Sequence, residues 1–467
     1  MTDPDPATES NLGLSGPFII DEFRLSGSTV ELDYAFGDPE SPTYRFTEVV
    51  EFESPLGDTP QVRCALRILH LLAGTSYYKS IAPCPIVVDS LNAVERALMQ
   101  GMYDGGLREF AYRNGLTVPL PVDLAERDSE AGSVTDASEP DESNGVVGSD
   151  RVLIPVGGGK DSALVADLIP DGTLLSVNPT GAHEHLAESL GRSLIKVKRT
   201  LDPQLRDLVA RGALNGHVPV TAINSAISVA VAASAGFGYV AMGLERSASE
   251  PTLISDGVEV NHQYSKSAAG EALLRDALSP TGVTYFSLLR PLTELAIGVS
   301  VAERGLVGDI VSCNRVFTIW SENEASRTQR PCGDCAKCLF TSLMLAPALT
   351  PAEIRDHFGR DLLDEEAHIE PVRELWSAAK PFDCVGERHE TAAALVLLAE
   401  SPAWAQQIVP KTLVDEARVV LAEQADDPIT YLNVDSVESV PERFRPLIEE
   451  LAETLGEWPT VRTHGSD

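Results

Sequence analysis

Between Arg151 and Met242 the chain alternates short apolar runs with longer amphipathic ones, and this rhythm constrains the fold more than any other feature. Val152–Val156, Leu174–Val177, Leu194–Val197 and Tyr239–Met242 read as buried strands. Ser162–Leu168, His183–Leu190 and Pro219–Ala235 read as the helices among them. Strand–helix–strand repetition predicts an α/β protein with a doubly wound parallel sheet, and such sheets bind ligands at the C-terminal ends of their strands.

The preceding region reads differently. Val30, Leu32, Tyr34 and Phe36 alternate with polar or small residues, as do Tyr44, Phe46, Val50 and Phe52, with Gly37-Asp38-Pro39 between them. That pattern predicts two antiparallel strands. Helices are expected near Val62–Leu72, ending at Gly74, and near Leu91–Met99, ending at Gly101. Asp123–Asp150 carries one basic residue and almost no apolar face, so it is expected to be a flexible acidic linker or loop. Beyond Leu339 helical patterns dominate, as in Ala392–Ala399 and Leu413–Ala422, and no repeat is evident. The expected organisation is therefore an N-terminal α+β domain (1–122), the linker (123–150), a sheet domain (151–345) and a mainly helical C-terminal region (346–467).

Charge narrows the partners. Lys and Arg number 36 against 70 Asp and Glu, a net charge of −34, which disfavours nucleic acid or an anionic membrane as partner. No apolar run approaches a membrane span, and Met1–Asp5 lacks the basic and apolar segments of an export signal, so a cytoplasmic protein is expected. Oligomeric state is not legible. Any anionic substrate must meet a local concentration of cations.

Gly157-Gly158-Gly159-Lys160-Asp161-Ser162 lies between a strand and a helix. Glycines let the backbone approach an anion, and the helix end presents N–H groups and a positive dipole to it. A Walker A loop would need Gly at 154, where Ile stands, and Ser or Thr at 161, where Asp stands. A dinucleotide fingerprint would need Gly in place of Ser162. Cys332-Gly-Asp-Cys335-Ala-Lys-Cys338, with Cys313 upstream, offers four thiolates for a closed tetrahedral site, and structural zinc is the expected metal.

The glycine loop resembles the SGGxDS signature of the PP-loop ATP pyrophosphatases, with Gly158, Gly159, Asp161 and Ser162 matching and Gly157 replacing the usual Ser. That resemblance implies binding of ATP and Mg²⁺ and cleavage between the α and β phosphates. The cysteine knuckle resembles that of 7-cyano-7-deazaguanine synthase, itself a PP-loop enzyme.

Polar strings also fall where strand ends should line a cleft: Asn215–Ala222, Gly243–Ser249, Asn261–Ser267, Leu289–Leu295 and Lys380–Glu387. Their order, with the loop and the knuckle, resembles the UDP-N-acetylmuramoyl-L-alanyl-L-glutamate epimerase (MurL) family from about Tyr44 to Glu387. The resemblance implies ATP-dependent inversion of the terminal L-Glu of UDP-MurNAc-L-Ala-L-Glu through a glutamyl adenylate, in peptidoglycan precursor synthesis. Lys160 and Asp161 are then expected at the phosphates and Mg²⁺. Arg246, Lys266 and Arg290 are expected to bind substrate anions, and proton transfer is expected from among His262, Tyr264 and Cys384. The alternative is a PP-loop enzyme forming a C–N bond, such as a deazaguanine nitrile synthase or an amide ligase. A tRNA-thiolating enzyme is opposed by the charge, and a nucleotide-sensing module would bind ATP without releasing AMP.

Overall fold

A computed structural model describes residues 12, 14–127, 149–316, 330–424 and 427–464. Ten strands form one twisted sheet in the order β12-β9-β6-β7-β8-β3-β2-β1-β4-β5. They are β1 (Phe18–Ser26), β2 (Thr29–Asp38), β3 (Ser41–Phe52), β4 (Ile86–Val88), β5 (Leu124–Glu126), β6 (Val152–Pro155), β7 (Thr173–Val177), β8 (Leu194–Thr200), β9 (Tyr239–Met242) and β12 (Thr284–Ser287). The remaining pair, β10 (Leu253–Ser255) and β11 (Val258–Val260), forms a separate hairpin.

Strands β12, β9, β6, β7 and β8 are all parallel. Successive strands β6, β7 and β8 run outward in one direction, and β9 and β12 add on the other side of β6. The direction of winding therefore reverses between β6 and β9, the position at which parallel sheets open a crevice for a ligand.

Strand pleating sends alternate side chains to opposite faces. Ile154, Leu174, Ala241 and Phe286 join one core, under the helices Lys160–Leu168, Glu294–Glu303, Ala336–Leu345 and Arg388–Glu400. Their neighbours Leu153, Leu175, Val240 and Tyr285 join the other, under Pro60–Ala73, Val220–Ala235 and Ala268–Leu278. Both faces are covered, as the near-continuous apolar strands require.

The antiparallel strands β1–β3 extend the same sheet through β3 and β8, with Val49 opposite Thr200 and Phe52 opposite Val197. Val30, Leu32, Tyr34 and Phe36 point into the second core, while Arg24, Glu31 and Asp33 pair with one another on the solvent side. At the seam, buried Glu48 accepts two bonds from Arg199, at 2.6 Å from Nε and 3.0 Å from Nη2. The sheet and its second core are thus continuous across the two regions that the sequence pattern distinguishes.

Three local expectations need correction. The strand Phe18–Ser26 was not expected, because its second half, Asp21-Glu22-Phe23-Arg24, is largely polar on an edge facing solvent. The helix expected to end at Gly101 runs over Ala93–Asp104. Gly101 serves close packing instead, since a Cβ there would meet Leu273 Cδ1 at 2.4 Å. The start of the acidic segment is ordered: Leu124–Glu126 pairs with β4, while residues 128–148 lie outside the described residues.

Candidate active site

The glycine loop sits at the C-terminal end of β6, where the winding reverses. Gly158 has φ +71°, a left-handed conformation that glycine adopts without strain, and its carbonyl accepts from Val311 N at 2.7 Å. Gly157 has open space where a Cβ would stand. The helix Lys160–Leu168 begins with Gly159 as its N-cap and no side-chain cap, so its first turn is open to an external acceptor apart from Lys160 N, which donates to Ser312 Oγ at 3.3 Å. A cavity of about 240 Å³ opens here, lined by Gly157, Gly159, Asp161, Ser162, Lys266 and Lys337 among others.

Asp161, Glu245 and Glu294 bring carboxylate oxygens within 4.8 Å of one another beside this loop. Lys160 Nζ bonds to both Asp161 and Glu294. Burial works against charge on Asp161, but Lys160, Lys337 and Lys266 outweigh it and hold the carboxyl below its ordinary range. Burial and then the Asp161 charge push Glu245 upward. Both Glu245 oxygens are buried without a hydrogen-bond partner, a costly arrangement that a divalent cation would relieve. The donor set, hard oxygens only, fits Mg²⁺.

The four cysteines Cys313, Cys332, Cys335 and Cys338 place their sulfurs within 4.8 Å of one another, as a tetrahedral thiolate site for Zn²⁺ requires. The cluster abuts the glycine loop. Val311 and Ser312, which contact Gly158 and Lys160, immediately precede Cys313, and Lys337 stands between Cys335 and Cys338 with its side chain in the crevice.

A second polar group forms where the hairpin β10–β11 delivers His262. Its turn holds Asp256 and Gly257 at positive φ, and His262 N donates to Thr252 Oγ1 at 3.1 Å. The segment carrying Cys384 is joined to it by Lys380 N to Thr252 O at 3.1 Å and Gln263 Nε2 to Val385 O at 3.1 Å. Cys384 Sγ consequently lies 3.6 Å from His262 Nε2, and His262 Nδ1 lies 2.5 Å from Glu109 Oε2. The His217 ring is 4.5 Å from that of His262, and its Nδ1 is 3.7 Å from the same carboxylate oxygen. Lys79 holds the His217 loop, donating to Asn215 Oδ1 at 2.6 Å and Gly216 O at 3.1 Å.

Burial alone would raise the Cys384 thiol, yet Lys266, Lys337 and His262 hold it well below its usual value. Burial would likewise lower His262, but bonds to Cys384 and Glu109 push it up to about 10. His217 goes the other way, to about 4, through burial and the adjacent His262 charge. The charges around the pair Cys384–His262 thus favour a thiolate beside an imidazolium.

Of the expected site residues, Gly157, Gly159, Asp161, Ser162 and Lys266 line one crevice, Lys160 is buried beside it against Asp161 and Glu294, and His262 with Cys384 forms the second group. Tyr264 lies apart from that group, its ring filling the space against Gly105 that a Cβ would occupy. Arg290 is committed to the protein itself: Nε donates to Glu271 Oε2 at 2.8 Å, Nη1 to Glu245 O at 2.5 Å and Nη2 to Lys266 O at 2.7 Å. It shapes the loops that carry Glu245 and Lys266. Arg246 pairs with Asp435 at 2.6 Å. Sequence reasoning missed Glu109, His217, Glu245, Glu294 and Lys337 as site members. His217, Glu245 and Glu294 sit within the polar strings at strand ends, which was the available signal.

Fold and site together define an α/β enzyme whose crevice lies at the reversal of its sheet. The chain belongs to the MurL family: residues 16–288 match the MurL N-terminal domain and residues 309–427 the MurL C-terminal domain. Curated relatives named UDP-N-acetyl-alpha-D-muramoyl-L-alanyl-L-glutamate epimerase include one from Salinispora tropica, 40% identical over 84% of this chain and 86% of its own. Another, from Micromonospora sp., is 42% identical over 85% and 91%, and one from Xanthomonas oryzae pv. oryzae is 37% identical over 76% and 78%. No solved structure matches the chain. Among the described residues, no helix is long and apolar enough to cross a membrane.

Proposed function

We propose that the chain is an ATP-dependent epimerase that inverts the terminal L-Glu of UDP-MurNAc-L-Ala-L-Glu through a glutamyl adenylate, releasing AMP and diphosphate. The observation that carries this reading is the contact of Cys384 Sγ with His262 Nε2 at 3.6 Å, in the field of the same two lysines, Lys266 and Lys337, that line the crevice of the glycine loop. The relatives' names support the substrate, and the loop's likeness to PP-loop enzymes supports adenylation.

The chemistry follows from charge. An α-proton beside a free carboxylate is scarcely acidic, because removing it would set a second negative charge against the first. Capping the carboxylate with AMP removes that charge and makes the carbonyl an electron sink. In this reading Gly157–Ser162 cradle the phosphates, and Lys160 faces the charge that grows as diphosphate departs. Asp161, Glu245 and Glu294 would hold Mg²⁺, which would neutralise phosphate charge. The four cysteines would hold zinc as a structural clamp beside the loop. Lys266, Lys337 and Arg246 would supply the positive charge an acidic protein needs at an anionic substrate.

Cys384 then takes the α-proton, with His262 balancing its charge beforehand. At 3.6 Å the sulfur and Nε2 are too close to hold a carbon between them, so they act as one unit on one face of the α-carbon. A second group returns a proton to the opposite face. Hydrolysis of the acyl adenylate yields the D-product and AMP.

The test is incubation with UDP-MurNAc-L-Ala-L-Glu, ATP and Mg²⁺ in D₂O. AMP and diphosphate release with deuterium entering the glutamate α-position is the expected result. AMP release with no isotope exchange and unchanged configuration would refute epimerisation and favour acyl transfer to an amine.

A further inference from the structure

Glu109 lies far in sequence from every motif of the site, yet its side chain is only 4% exposed and reaches the ring of His262. It stands on the short helix Arg108–Arg113 and reaches His262 Nδ1 at 2.5 Å, while the opposite ring nitrogen faces Cys384 Sγ at 3.6 Å. Thiol, imidazole and carboxylate thus stand in line, each touching the next, across three segments of the chain. A bond to one ring nitrogen fixes both the tautomer and the direction of the other.

We propose that Glu109 is a positioning residue of the reaction, the carboxylate that orients His262 toward Cys384 and keeps the pair in its working form. The proposal rests on the reading of Cys384 and His262 as the proton-transfer unit, and it adds a contribution from the N-terminal part of the chain. A carboxylate at Nδ1 stabilises the protonated ring, and the protonated ring stabilises the thiolate.

The groups facing this relay are known. Around Glu109 are His262, His217 and Arg113, the last at 3.4 Å. Around His262 are Glu109, His217, Cys384 and Asp383, and around Cys384 are Lys266, Lys337, His262 and Asp383. Lys266 and Lys337 favour the thiolate independently of Glu109, so losing Glu109 should weaken thiolate formation without abolishing it. His217 touches the same carboxylate, but its Nδ1 is more than an ångström farther away than that of His262. A rival use of the same atoms is a metal bound by Glu109, His217 and His262, whose ligand atoms lie within 4.8 Å of one another. The carboxylate oxygen and ring nitrogen are within hydrogen-bond reach, and the bond is charge-assisted when the ring is protonated.

The experiment is the pH dependence of iodoacetamide alkylation of the full-length protein, with Cys384 followed by peptide mass spectrometry and neither ATP nor muramoyl substrate present. In the unaltered protein Cys384 should already react fast near pH 6. Glu109→Gln should slow alkylation at that pH by roughly tenfold or more and move the profile to higher pH, as expected when a thiolate loses its stabilising partner. Glu109→Asp should recover most of the rate. An unchanged profile in Glu109→Gln, with the variant's thermal melt preserved, would overturn the proposal. So would an unaltered protein in which Cys384 titrates like an ordinary thiol, a result that holds even if the variant fails to fold. Protection of Cys384 by added Zn²⁺ that is lost in His217→Gln would also overturn it, in favour of the metal. Because the readout needs no turnover, a failed epimerase assay leaves this outcome separately measurable.

Discussion

At the scale of single residues, charge placement decides what the crevice can do. Lys160 is buried and spends its ammonium on Asp161 and Glu294, so the lysine of the loop is held by the carboxylates that would bind a metal. In the proposed reaction the phosphates of ATP, arriving with Mg²⁺, would exchange those contacts for their own, freeing Lys160 to meet the departing diphosphate. Asp161→Asn removes one proposed metal ligand and one charged partner of Lys160 while keeping side-chain size. AMP formation should fall by on the order of a hundredfold or more, with the melting temperature nearly unchanged. Retained AMP formation, measured by chromatography of the nucleotides, would remove Asp161 from the metal site.

At the scale of elements, the helices Glu294–Glu303 and Ala336–Leu345 carry Glu294 to Lys160 of the glycine loop and Lys337 with Cys338 to the knuckle. They approach closely at Gly298, where a Cβ would meet Met344 O at 2.4 Å and Met344 C at 2.6 Å, both backbone atoms. Gly298→Ala must therefore spread the helices, at a cost of about 1–3 kcal/mol for overpacking. Urea denaturation should show that loss, and AMP formation should fall with it because two site elements move apart. A variant of unchanged stability would show that the helix pair has slack there. The elements were largely legible beforehand: the helix Pro60–Ala73 and the strands β2, β3, β6, β7 and β9 follow from periodicity and breakers, because their apolar faces meet a core. The glycine loop and the four cysteines were legible because their chemistry depends on short spacing. Glu109 was not, since it is a single charged residue whose meaning comes from long-range packing, whereas Glu245 and Glu294 lay in polar strings and Lys337 in the cysteine knuckle without anything local to single them out. Gly101 misled because a glycine inside a helix serves a neighbour's approach as readily as it ends a helix.

At the scale of the whole molecule, stability and assembly follow from what the sheet buries. His70 is buried beneath β2 with Nε2 3.0 Å from Asp33 O, and burial pushes its pKa down to about 4; His357 is lowered to about 4 by burial as well. Below about pH 6.5 the unfolded chain binds protons that these native imidazoles refuse, so their contribution is intact above that pH and is lost as pH falls toward 4. Each histidine should cost roughly 2 kcal/mol at pH 5 relative to pH 7. Urea midpoints at the two pH values should differ accordingly, and His357→Phe should narrow the difference; an equal gap in that variant would contradict the assignment. The continuity of the sheet through β3 and β8 has a consequence for how the gene can be divided. Glu109 precedes residue 127 and the glycine loop follows residue 149, so a break in the backbone between 128 and 148 would yield two polypeptides that each own part of the proposed reaction centre. Co-expressed, they are expected to find each other through the exposed edges of β3 and β8 and restore a split enzyme, whereas neither alone could support growth of a cell that depends on it.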